Sequence, residues 1–205
     1  LASGIRYDGP ALFGDIVIMA KVKLIGMSGS LRAGSFSNAI LATLGEKFAD
    51  RADFTVYDLA PIPLYNQDFE GEKRPSAVKQ MLADIEAADG LVLCAPEFNH
   101  SIPGVLKNAI DWASRPAFTS VLAYKPVAIM ATSRGPLGGA RCIEHMKVAL
   151  DSCLSRVTLA REVIITAAET RIKDGRLVDE TCLSFSCGAV EALLHEIALW
   201  KTAKG

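Results

Sequence analysis

Three stretches of this chain hold residue types suited to a phosphorylated, flat ligand. The first, Gly29-Ser30-Leu31-Arg32-Ala33-Gly34-Ser35-Phe36-Ser37-Asn38, gathers three serine hydroxyls and one guanidinium in ten residues. If it leads into a helix, the unpaired N–H groups of the first turn and the positive end of the helix dipole favour an anion there. Hydroxyls add donors, and a guanidinium is a planar fork matched to phosphate oxygens. The competing reading is a small-residue connector in which Ser37 or Asn38 only caps the helix. Neither G-x-x-x-x-G-K-[ST] nor G-x-G-x-x-G occurs there, which argues against an ATPase phosphate loop and a dinucleotide fingerprint. The second stretch, Pro96-Glu97-Phe98-Asn99-His100-Ser101-Ile102-Pro103-Gly104, is stiffened by prolines. Such a loop can run successive N–H and C=O groups along the edge of a heterocycle while Phe98 covers part of its face. The third, Ser133-Arg134-Gly135-Pro136-Leu137-Gly138-Gly139, ends in a glycine pair without side chains, so a ring is expected to approach the backbone closely there.

Acid–base or metal chemistry has little support. The three histidines, 100, 145 and 195, are not at metal-ligand spacing, and no nucleophile–base–orienter set is evident. The five cysteines, 94, 142, 153, 182 and 187, include no C-x-x-C pair. Reduced thiols in a cytoplasmic protein are therefore expected, with no disulfide framework and no metal site. Cys94 reads as a small buried hydrophobe, and His145 and His195 as ordinary helix residues. His100 and Glu97 are expected to shape their loop; the competing readings are proton donation to an acceptor for His100 and a general base for Glu97.

The elements that must position these loops follow from periodicity. Short apolar runs at Val22–Met27, Asp53–Asp58, Gly90–Ala95, Pro126–Thr132 and Glu162–Thr166 predict five strands. Between them lie helical patterns. Asn38–Ala49 carries Ile40, Leu41, Leu44 and Phe48 on one face. A helix capped by Ser76 carries Val78, Met81, Leu82 and Ile85, and one starting at Pro103 carries Val105, Leu106, Ala109 and Ile110. A fourth spans Ala140–Ser152, and after a turn at 173–176 a last helix runs from Asp179 to about Lys201, with Leu183, Val190, Leu193, Leu194 and Ile197 inward. Strands alternating with helices imply right-handed crossovers and a parallel sheet covered on both faces. The expected fold is therefore an α/β, flavodoxin-like three-layer sandwich with strand order 2-1-3-4-5. Ligands of such sheets gather at the carboxyl ends of the strands, beside strand one. The three loops follow strands one, three and four.

At these loops the chain resembles the NADPH-dependent FMN reductase family, which includes quinone, azo-dye and chromate reductases. The motifs that carry the resemblance are GSLRAGSFS, PEFNHSIPGVLKNAIDW and S-x-G-x-x-G-G-x-R ending at Arg141. It runs from about Lys21 to the final helix. The resemblance implies that Ser30, Arg32, Ser35 and Ser37, with Phe36 beside them, hold the FMN phosphate. Pro96, Glu97, Phe98 and Asn99 would line the ribityl chain and isoalloxazine, and Ser133 would lie near the ring. It implies hydride transfer from NADPH or NADH through FMN to a quinone or other small acceptor, with no catalytic side chain required. A homodimer or homotetramer is also implied, with the helix of Lys107–Trp112 supporting its contacts. The chain departs from the family at Ser37, Phe98 and Arg134, where Asn, Tyr and a smaller residue or Pro are common; Arg134 is a candidate for the NADPH 2′-phosphate.

Composition bounds the alternatives. The 205 residues are 50% hydrophobic and 22% charged, enough for one sizeable core. Lys and Arg total 22 against 23 acids, a net charge of −1, which gives no footprint for nucleic acid. No unbroken apolar run reaches the ~18–20 residues of a membrane span. The same charge speaks against a flavodoxin-type electron carrier, which would be strongly acidic. A flavin-free regulatory protein on this scaffold is the other alternative. Residues 1–19 show no clear period and read as a tag, a mis-assigned start or a loose arm preceding a single domain over 20–205.

Overall fold

A computed structural model of the chain describes residues 21–204; the reading of residues 1–19 lies outside them. Strands β1 (Val22–Ser28), β2 (Ala52–Tyr57), β3 (Gly90–Pro96) and β4 (Pro126–Thr132) form a parallel sheet in the order β2-β1-β3-β4. On the far side of β4 two short strands follow one another, β5 (Arg156–Val157) beside Pro126–Val127 and β6 (Val163–Ile165) beside Met130–Thr132. The order 2-1-3-4-5 therefore holds, but the expected single fifth strand is split. An edge strand pairs on one side only, so its ladder can be broken cheaply, and a broken edge resists adding a foreign strand. Between β5 and β6 the chain leaves the ladder and exposes Leu159 fully.

Helices cover both faces. On one, α2 (Ser76–Ala87), α3 (Gly104–Ala113) and α4 (Ala140–Ser152) pack Met81, Leu106, Trp112 and Met146 onto Ile25, Leu91, Leu93 and Val127. On the other, α1 (Phe36–Lys47) and α6 (Glu180–Lys204) pack Ile40, Leu44, Val190 and Leu193 onto Leu24, Val92, Cys94 and Met130. β3 alternates between the two cores and is buried on both faces, as its unbroken apolar run requires. The stretch Glu180–Ala203 of α6 is long and apolar enough to cross a membrane. In the fold its Val190, Leu193, Leu194 and Ile197 are buried, and Glu191 and Glu196 pair with Arg51 and Arg156.

Two helix starts differ from the sequence reading. α1 begins at Phe36 because the Ser35 hydroxyl, not that of Ser37, accepts the Asn38 N–H at 3.2 Å. α2 has Pro75 at its cap and Ser76 as its first helical residue, with no side-chain cap bond; the fixed φ of Pro75 serves the entry instead. The turn at 173–176 closes a small hairpin of β7 (Ile172–Lys173) and β8 (Arg176–Leu177), preceded by one helical turn, α5 (Ala168–Arg171).

The chain between β2 and α2 is pinned to α3. Asn108 is buried; its Oδ1 accepts the Tyr65 N–H at 2.8 Å and its Nδ2 donates to the Pro63 carbonyl at 2.9 Å. The Trp112 indole N–H donates to the same carbonyl at 2.8 Å. Asn108→Leu keeps the volume but strands the Tyr65 amide. It is expected to lower unfolding free energy by about 1–3 kcal/mol, read as a shifted urea midpoint with an unchanged slope.

Candidate functional site

The three loops leave the same edge of the sheet: Pro96 and Thr132 end β3 and β4 in register, and Ser28 ends β1 beside Cys94, two residues earlier. The loop between β1 and α1 is built by its own hydroxyls. Ser28, buried at the strand end, donates to the Ser30 carbonyl and accepts the Ser30 N–H, both at 3.2 Å. The Ser30 hydroxyl accepts the Arg32 N–H at 3.4 Å, and the Arg32 carbonyl accepts the Ser35 N–H at 3.0 Å. Gly29 is a packing requirement. A Cβ there would lie 2.7 Å from Ala95 Cβ and 3.0 Å from Pro103 Cγ, so the first loop is pressed against the base of the second. The Ser37 hydroxyl is buried in the first turn of α1 and has no nitrogen or oxygen partner among the described residues; the Cys94 thiol beneath it is its neighbour. Burial pushes that thiol up to about 12, so Cys94 is a small core residue and not a nucleophile.

In the second loop, Phe98 N–H donates to the Ser101 carbonyl at 3.1 Å and Ser101 N–H to the Phe98 carbonyl at 3.0 Å. Asn99 and His100 form the tip of this tight turn, both at positive φ. The polar backbone groups of Phe98 are thus used within the turn, and what it offers outward is its ring, half of which is exposed. Glu97 does not present its carboxylate as a free base. Its Oε2 accepts the Arg141 and Cys142 N–H groups at 3.0 and 3.2 Å. These amides open α4, whose own cap residue, Gly139, has no side chain to offer. Oε1 lies 3.3 Å from His100 Nδ1 and 3.6 Å from the Arg141 guanidinium. Burial alone would push the Glu97 carboxyl up; the His100 contact, the two amides and the Arg141 charge outweigh it and hold it below its ordinary value. Glu97 is therefore a strut between the second loop and the helix that follows the third.

In the third loop the Ser133 hydroxyl accepts the Gly135 N–H at 2.9 Å, and the Ser133 N–H donates to Ile165 on β6. The glycine pair does not leave room for a ring. A Cβ on Gly138 would sit 2.4 Å from Ile164 Cγ2, and one on Gly139 2.6 Å from Ala131 Cβ. Both have positive φ, so the pair turns the chain tightly against β4 and β6. The expectation of open backbone there is corrected: these glycines serve the fold. Thr132, just before this loop, carries a second buried hydroxyl with no hydrogen-bond partner among the described residues.

The first and third loops meet at Phe36, whose ring has the Arg32 guanidinium at 5.2 Å and that of Arg134 at 5.6 Å. Two cations thus meet at the first residue of α1, an arrangement suited to an anion. The sequence reading does not single out Ser28 or Thr132, and it names Arg141 only as the end of a motif. Ser28 could have been found from its place at the end of the first strand, two residues before Ser30. Nothing local marks Arg141 as the partner of Glu97, 44 residues away.

A doubly wound parallel sheet with its polar loops at the carboxyl ends beside β1 defines a flavodoxin-like mononucleotide-binding protein. The sequence model described as NADPH-dependent FMN reductase matches residues 22–170, and the chain belongs to that family. It is 36% identical over 180 residues to an NAD(P)H-dependent FMN reductase of Pseudomonas aeruginosa, covering 87% of this chain and 95% of that protein. It is 35% identical to a quinone reductase of Escherichia coli, covering 84% and 93% of the two. Among solved structures it is similar to FerB, a flavoenzyme NAD(P)H:(acceptor) oxidoreductase of Paracoccus denitrificans. The TM-score is 0.76 and the identity 31%, over 86% of this chain and 97% of that one. The protein is accordingly an FMN-dependent, NAD(P)H-dependent oxidoreductase.

Proposed function

We propose that this enzyme binds FMN across the three loops and passes reducing equivalents to a quinone. The phosphate lies on the turn of Ser30, Arg32, Ser35, Phe36 and Ser37. The isoalloxazine lies against Pro96, Glu97, Phe98 and Asn99, with Ser133 at its side. The observation that carries this reading is the start of α1 at Phe36, to which the Arg32 and Arg134 guanidinium groups converge. The Ser37 hydroxyl lies in the same turn, with only the weak Cys94 thiol beside it, and a phosphate oxygen would be a stronger partner. The quinone assignment rests on relatives, which include a 2-hydroxy-1,4-benzoquinone reductase of Burkholderia with 36% identity.

Bound FMN supplies the exchange of hydride between a nicotinamide and a second substrate. The chain's residues bind and orient. Arg32 and the first-turn amides of α1 hold the dianion. Phe98 lends an aromatic surface. Glu97 fixes the spacing of the second and third loops by holding α4 against both. No side chain is needed as acid or base, and Glu97, already engaged by two amides and two side chains, is not available as one. We place the enzyme in the cytoplasm, which is supported by its five unpaired cysteines. We also propose a homodimer or homotetramer, supported by the exposed Phe98 and Leu137 on the ring-binding loops.

Purified protein is expected to be yellow, to bleach with NADPH or NADH, and to turn over with a benzoquinone. Protein that stays colourless after FMN addition overturns the reading, and flavin that bleaches without turnover points to an electron carrier. Arg32→Ala is expected to weaken FMN binding by about 1–3 kcal/mol, measured by flavin fluorescence titration.

A further inference from the structure

The sequence offers Arg134 by itself as a candidate for the NADPH 2′-phosphate; the fold gives it a partner, Arg32. The guanidinium carbons of Arg32 and Arg134 lie 5.2 and 5.6 Å from the centroid of one ring, Phe36, although the two residues belong to different loops. Arg51, Arg141, Arg156, Arg171 and Arg176 each meet a carboxylate. Among the described residues Arg32 and Arg134 make no ion pair, and both are exposed. Two like charges held over one aromatic ring without a counter-charge repel each other. The ring retains both through cation–π attraction, and Phe36 is itself the first residue of α1, where the helix start adds to the positive potential. Phe36 is half-buried, so the platform between the two loops is fixed.

We infer that Arg32 and Arg134 are the two jaws of a clamp for a phosphate monoester dianion, closed from the β4–α4 loop as well as from the β1–α1 loop. A monoester carries two negative charges and three oxygens, so it can take a fork from each guanidinium and still accept amide N–H groups; a carboxylate or a diester cannot. Two ligands of this enzyme class carry such a group: the 5′-phosphate of FMN and the 2′-phosphate that distinguishes NADPH from NADH. The inference rests on the FMN reading above and adds a second phosphate-binding residue to it.

The test compares the full chain with its Arg134→Ala and Arg32→Ala variants. FMN and riboflavin affinities are measured by fluorescence, and kcat/KM for NADPH and NADH on the FMN-loaded enzymes. If the clamp closes on the flavin, R134A loses at least tenfold in FMN affinity while riboflavin affinity is unchanged. If Arg134 instead meets the nicotinamide cofactor, R134A loses at least tenfold in kcat/KM for NADPH while NADH is unchanged. The first result supports the clamp; the second, with Arg32 on the flavin phosphate, places Arg134 on a different phosphate and overturns it. Values for R134A within twofold of the parent in both comparisons, or equal losses within each pair, overturn it. If R32A lowers the FMN-to-riboflavin affinity ratio while R134A moves nothing, the clamp alone fails. If R32A also leaves that ratio unchanged, the phosphate cradle fails with it.

Discussion

Gly139→Ala is expected to destabilise the protein by about 2–5 kcal/mol and to abolish flavin retention. Two costs add. Gly139 has φ +103°, a region an L-residue enters at about 1–2 kcal/mol. The new Cβ would also stand 2.6 Å from Ala131 Cβ on β4, and both atoms are fixed by backbone. Overpacking of that kind costs about 1–3 kcal/mol where neighbours cannot yield. The residue to move is the cap of α4, so strain there displaces the amides that hold Glu97. Gly135→Ala is the control, because its Cβ would meet only the Ser133 hydroxyl, at 3.4 Å, with φ in the ordinary range. Thermal and urea denaturation of both variants should show a large shift for the first and little for the second. A shift below about 1 kcal/mol for G139A would contradict the packing described.

Glu97→Ala is expected to cost about 2–3 kcal/mol, the scale of a lost helix cap together with charge-assisted hydrogen bonds. It should weaken FMN binding at least tenfold although the carboxylate touches no ligand in this account. Glu97→Gln separates charge from shape. The folded-state pKa of Glu97 is lowered, so the unfolded chain takes up this proton first. The stabilisation from ionised Glu97 is therefore complete above the ordinary glutamate pKa of about 4.3. It is lost as pH falls through the lowered value. The stability gap between the parent and E97Q should accordingly be constant near neutrality and close in acid. No gap between the two at any pH would show that Glu97 contributes by shape alone, and a gap that does not close in acid would contradict the charge-linked account.

Most of the sheet was legible because buried parallel strands are continuous apolar runs, as at Gly90–Pro96 and Pro126–Thr132, and because amphipathic helices such as α2 show their inner face. The binding loops were legible as departures from those periods. What was not legible depends on contacts distant in sequence. The split of the fifth strand follows from its position at the sheet edge, where a break is tolerated. The glycine pair at 138–139 has the same composition whether it admits a ring or packs under a strand, and only the neighbours Ile164 and Ala131 decide between them. Glu97 sits in a motif that implies flavin contact, yet its carboxylate answers the uncapped start of α4. Ser35 and Ser37 lie two residues apart, and which of them caps depends on where the turn of α1 begins.

The most direct test of the whole reading is the position of the phosphorus atom in a crystal structure of the enzyme with FMN. The account predicts it within hydrogen-bonding reach of the Ser37 hydroxyl, the opening amides of α1 and the Arg32 guanidinium. A phosphate bound elsewhere, with that turn filled by its own side chains, would contradict it.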